Sequence, residues 1–94
     1  MTVFKEILDT IGNTPLVELC AIKEKYKLNA NIFAKMESFN PGGSVKDRTA
    51  YSLIRGLQKD REYIDAVKNN RKISIVEATS GNTGIALAMI CAKM

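Results

Sequence analysis

The sequence has 94 residues, 46% of them hydrophobic and 26% charged, which limits it to one small domain and excludes a disordered tail. The net charge of +4 does not define a nucleic-acid surface, because the densest basic stretch mixes Lys59, Arg61, Lys68, Arg71 and Lys72 with Asp60, Glu62 and Asp65, as a solvated face does. With no histidine and 2 cysteines, an ordinary zinc site, a Ser-His-Asp triad and a Cys-His pair are excluded, and any proton transfer needs another base.

In chain order, Val3, Phe4, Ile7, Leu8 and Ile11 recur at helical spacing and predict a short helix that Gly12 ends. Pro15 disfavours helix at Thr14, so Leu16 to Leu19 predicts a strand, followed by a helical turn or two over Ala21 to Leu28. Asn31 to Met36 predicts a second strand, and Ser38-Phe39-Asn40-Pro41-Gly42-Gly43 a loop. Ser44 then caps a helix that carries Ala50, Leu53, Ile54 and Leu57 on one face. Ile73 to Val76 predicts a third strand, and Thr79-Ser80-Gly81-Asn82-Thr83-Gly84 turns the chain into a final apolar helix from Ile85. The order is that of a parallel α/β sheet. The last helix is apolar nearly all round and expects cover on both sides. That pattern suggests a single portion, residues 1–94, of a larger or truncated domain. Cys20 and Cys91 sit by apolar stretches and are expected as buried thiols in a reducing cytosol. The N-terminus does not resemble a signal peptide, and the longest apolar run, Ile85 to Ala92, is far short of a membrane span. A soluble, cytoplasmic protein is therefore expected, with no membrane and no nucleic-acid partner.

Two loops could carry chemistry. Lys46 falls in the first turn of its helix, where free N–H groups and the helix dipole disfavour a positive charge, and a neutral amine is a nucleophile. Asn40-Pro41-Gly42-Gly43 before it lets a flat ligand approach the backbone. Taken alone, these residues fit a surface lysine beside Asp47 better than a nucleophile. The Thr79 to Gly84 turn points N–H groups and small hydroxyls at one spot and suits a carboxylate or phosphate, though a plain capped turn fits equally well. It is neither a Walker A loop nor a dinucleotide fingerprint. Both loops follow predicted strands and open helices, so they emerge on one edge of the sheet and can face each other. A lysine beside a carboxylate cradle suggests amino-acid chemistry.

Ile11-Gly12-Asn13-Thr14-Pro15-Leu16-Val17, then Phe39 to Arg48 with Asn-Pro-Gly-Gly-Ser-Val-Lys-Asp-Arg, then Glu77 to Ala88 with Thr-Ser-Gly-Asn-Thr-Gly, resemble the motifs of the cysteine synthase (O-acetylserine sulfhydrylase) family, in family order. The resemblance covers almost the whole chain. It implies the N-terminal part of a fold-type II pyridoxal-phosphate enzyme, a parallel-sheet, three-layer α/β architecture incomplete in these residues. It further implies that Lys46 forms the Schiff base with pyridoxal 5'-phosphate and handles the substrate α-proton. Asn82 would bond the cofactor ring hydroxyl, and Thr79, Ser80, Gly81, Asn82 and Thr83 would hold the substrate α-carboxylate. The reaction implied converts O-acetylserine and sulfide to cysteine and acetate in cysteine biosynthesis. A homodimer is implied for the family, with serine acetyltransferase as a candidate protein partner. Cystathionine β-synthase and diaminopropionate synthase share these motifs and stand as alternatives, as does a non-catalytic truncated paralogue that only binds. The family's later phosphate-binding loop and late Ser or Thr are absent from these residues, so little activity is expected of the 94 residues alone.

Overall fold

A computed structural model describes residues 1–94. A 3-10 turn, Ile7–Thr10, leads to strand β1, Leu16–Glu18, and helix α1, Cys20–Tyr26. Strand β2, Phe33–Lys35, and a second 3-10 turn, Glu37–Phe39, precede helix α2, Lys46–Leu57. Helices α3, Arg61–Lys68, and α4, Asn82–Lys93, complete the chain.

The core lies between α2 and α4. Ala50 and Ile54 on α2, and Ala86 and Ile90 on α4, each stand four residues apart and so stack on one face of their helix; these four buried side chains form one cluster. An alanine from each helix lets the two approach closely, while each buried isoleucine contributes roughly 2–3 kcal/mol through the apolar area it removes from water. Leu8 and Ile11 of the N-terminal segment pack on the cluster's edge, with Tyr51, Leu87 and Met89. Asp60 caps α3 by accepting from the N–H groups of Glu62 at 2.8 Å and Tyr63 at 3.4 Å.

The rest of the apolar surface is open. The accessible surface is 7433 Å², against about 5,400 Å² for a compact chain of this mass. The radius of gyration is 18.2 Å, against about 12 Å for a compact domain of this length. Val76 is 92% exposed; on α4, Ile85 is 54% exposed, and Ala88 and Cys91 are exposed with it, so only one face of the helix is covered, where the all-round apolar sequence expects two. No helix is long and apolar enough to cross a membrane.

Several expectations need correction. The ladder within the chain pairs β1 with β2 antiparallel, Val17 opposite Ala34, and the parallel pairing expected of the strands before the two site loops is not formed within the chain. Helix α1 ends at Lys27, in the left-handed conformation at φ 49°, and the chain then returns so that β2 runs back along β1. Ile73 to Val76 has no ladder partner and forms no strand. The N-terminal helix reduces to its 3-10 turn, and α3 lies in the stretch read only as a mixed-charge face. Cys20 and Cys91 are free, as expected, but both are exposed rather than buried.

Candidate active site

Lys46 is exposed and opens α2, its backbone N–H donating to Ser44 Oγ at 3.1 Å. The serine therefore serves the helix start as predicted, although Val45 occupies the cap position. Lys46, Ala78, Thr79, Ser80, Gly81, Asn82 and Thr83 line one shallow, largely polar pocket of about 370 Å³. The pocket thus sits where the N-terminal ends of α2 and α4 meet, and both helix dipoles favour an anion there. All the predicted site residues are brought together in it. An adjoining hollow shares Thr79 with this pocket and is lined mainly by apolar side chains, Ile73, Ile75, Leu87, Ala88 and Cys91, with Glu77 and Gly84.

The turn is held from within. Thr79 Oγ1 accepts from the N–H groups of Gly81 and Gly84, both at 3.1 Å. Its methyl lies where a Cβ on Gly84 would fall, 2.7 Å away, so glycine is required for this packing. The N–H groups of Ser80, Asn82 and Thr83 have no partner within the chain and remain available to a ligand. A Cβ built on Gly81 meets nothing within 4 Å, so the space beside the turn is open.

The residues after Lys46 are tied in other directions. Asp47 is fully buried, and its Oδ2 accepts from the Gly42 N–H, pinning the Pro41-Gly42-Gly43 loop. Arg48 donates to Glu37 through Nε at 2.8 Å and Nη2 at 3.0 Å, and to Thr14 Oγ1 at 3.1 Å. The Thr14 hydroxyl donates to Glu37 Oε1 at 2.6 Å and Asn40 Nδ2 to Oε2 at 2.9 Å, so each carboxylate oxygen accepts two bonds. Asn40 Oδ1 in turn accepts from Gly12 N–H at 2.8 Å. The Arg48 hydrogen bonds hold the Glu37 carboxyl well below its usual range, at about 2, with help from Thr14 and Asn40 and against the effect of burial. The same pairing raises Arg48. Sequence reasoning did not find the hydrogen-bond network that Thr14, Glu37, Asn40 and Arg48 form, nor the burial of Asp47 against Gly42. All but Glu37 lie within the quoted motifs, which was the available signal.

A family profile described as "Pyridoxal-phosphate dependent enzyme" matches residues 7–94. The chain belongs to the pyridoxal-phosphate-dependent enzyme family. Cysteine synthase B of Campylobacter jejuni is 45% identical over 94 residues, 100% of this chain and 27% of that protein. O-ureido-L-serine synthase of Streptomyces lavendulae is 45% identical over 97 residues, 98% of this chain and 26% of its own length. The crystal structure of an O-acetylserine dependent cystathionine beta-synthase from Helicobacter pylori superposes with TM-score 0.69 at 39% identity, covering 99% of this chain and 28% of that one. The chain spans about a quarter of the length of the relatives it matches. Its mixed α/β arrangement is part of the fold-type II pyridoxal-phosphate enzyme fold, and the family's cofactor is pyridoxal phosphate. The pocket suits that group: an amine, three unpaired backbone N–H groups, small hydroxyls and an open approach.

Proposed function

We propose that this chain supplies the cofactor lysine and the substrate-carboxylate turn of a cysteine synthase-like β-replacement enzyme, which converts O-acetylserine and sulfide to cysteine and acetate. The supporting observation is the single pocket that gathers Lys46 with the Ala78 to Thr83 turn at the ends of two helices. On the family resemblance, Lys46 Nζ would hold the cofactor and take the substrate α-proton. Pyridoxal phosphate, when bound, supplies the electron sink. The Asn82 side chain, which lines the same pocket, would bond the cofactor ring hydroxyl. The unpaired N–H groups of Ser80, Asn82 and Thr83, with the Ser80 and Thr83 hydroxyls, orient the carboxylate; Gly81 keeps the approach open and Thr79 holds the turn.

Cystathionine β-synthase-type and diaminopropionate synthase-type chemistry remain the second reading, favoured by relatives whose names differ in the product formed. The complete protein, on this reading a homodimer with serine acetyltransferase as a candidate partner, separates them when assayed with O-acetylserine and sulfide, homocysteine or an amine nucleophile. For the 94 residues, pyridoxal phosphate should produce a visible absorbance band that Lys46→Ala abolishes. Absence of the band at high cofactor would reduce the chain to a truncated paralogue without this chemistry.

A further inference from the structure

Three successive residues at the start of α2 face three different neighbours. At about 100° per residue a helix turns each side chain away from the one before, so the direction of Lys46 is set by whatever fixes the rotation of this turn. Asp47 holds it to the loop on one side through Gly42 N–H. Arg48 holds it to the β-ladder side through Glu37 and Thr14, and Lys46 is left facing the Thr79 to Thr83 turn.

We propose that Arg48, with Glu37 and Thr14, is a positioning device that sets the rotation of the first turn of α2 and thereby aims Lys46 at the pocket. The inference rests on the cofactor-lysine reading given above. Its basis is geometric. Arg48 reaches back 34 residues to Thr14 and 11 to Glu37, tying α2 to both the segment before β1 and the turn after β2. The fork of two bonds to one carboxylate defines an orientation that a single point charge does not. The backbone closes over the guanidinium as well: a Cβ on Gly12 would lie 3.0 Å from Arg48 Nη1. Thr14 and Asn40, only 6% and 3% exposed, leave the fork little room to swing.

The test uses the full 94-residue chain with pyridoxal phosphate, borohydride trapping of lysine-bound cofactor, and peptide mapping to compare Lys46 with the other lysines. Arg48→Lys keeps the charge and loses the fork. Thr14→Val keeps the shape and loses the hydroxyl, which Thr14→Ser retains; Arg55→Lys, on the exposed side of the same helix, is the control. Label should concentrate on Lys46 in the wild type, Thr14→Ser and Arg55→Lys. In Arg48→Lys and Thr14→Val its preference for Lys46 should fall about tenfold, the scale on which small misplacements cost a positioned group, with helix content unchanged. Undiminished preference in both variants would overturn the positioning role while leaving the lysine assignment intact. So would a loss that simply tracks the loss of helix content. A wild type that labels Lys46 no more than its other lysines would overturn the lysine assignment itself, and the inference with it.

Discussion

Arg48 and Glu37 meet as a fork on a carboxylate, with Nε at 2.8 Å from Oε2 and Nη2 at 3.0 Å from Oε1. Both partners are partly open to water, so the pair stabilises less than its geometry alone would suggest and weakens with salt. Its value lies in joining segments distant in sequence.

The pair makes stability depend on acid. Glu37 is lowered from 4.5 to about 2, first by the Arg48 hydrogen bond and then by that of Thr14. A depressed carboxyl contributes fully above its unfolded value and loses that contribution as the pH falls through the folded one. The window is therefore pH 4.5 down to about 2. Chemical denaturation at several pH values should show stability declining across it, and Glu37→Gln should flatten that decline.

Gly42 and Gly43 should respond differently to alanine. A Cβ on Gly42 would collide with Asp47 Oδ1, the buried oxygen without a hydrogen-bond partner, and overpacking of this kind costs about 3 kcal/mol. Gly43, at φ +86° with nothing within 4 Å, should cost only the backbone penalty, about 1 kcal/mol. Urea titrations of the two variants give the comparison.

Ile90 is fully buried between the helices. Truncation to alanine should destabilise by about 3 kcal/mol through lost transfer energy and the cavity left. Ile85, 54% exposed on the same helix, should change stability by less than about 0.5 kcal/mol on the same truncation, as surface substitutions do. Thermal melts of both variants check the contrast.

The open apolar surface predicts that the 94-residue chain binds a hydrophobic dye and self-associates as concentration rises. Val76→Asp and Ile85→Asp, at exposed positions, should reduce both effects without loss of helix. Fluorescence titration and sedimentation velocity measure them. A dye-negative compact monomer would contradict the open arrangement.

Local signals carried much of the fold. The Ala50–Ile54 stripe and the breakers at Pro41-Gly42-Gly43 mark α2, and the alternation of loop and apolar run marks β1, β2 and α4. What depended on pairing was less legible. Ile73 to Val76 has the composition of a strand, but a strand exists only against a neighbour, and none lies within the chain. Lys46 and the Thr79 to Thr83 turn could be read as facing loops because both open helices. The Glu37 fork could not, because Arg48 and its partners are brought together only by the antiparallel return of β2 along β1. The exposed cysteines failed for a related reason: apolar neighbours in sequence do not guarantee cover in space.

The contact between α2 and α4 also serves as a ruler. Lys46 and the turn lie at the ends of helices whose separation is set by Ala50, Ile54, Ala86 and Ile90, and interaxial distance follows the size of the side chains at the contact. Enlarging Ala50 or Ala86, each with no exposure, would pry apart a lysine and an anion cradle that neither residue touches. Such a change would register as weaker and less selective capture of the cofactor, making the packing of two alanines part of the chemistry.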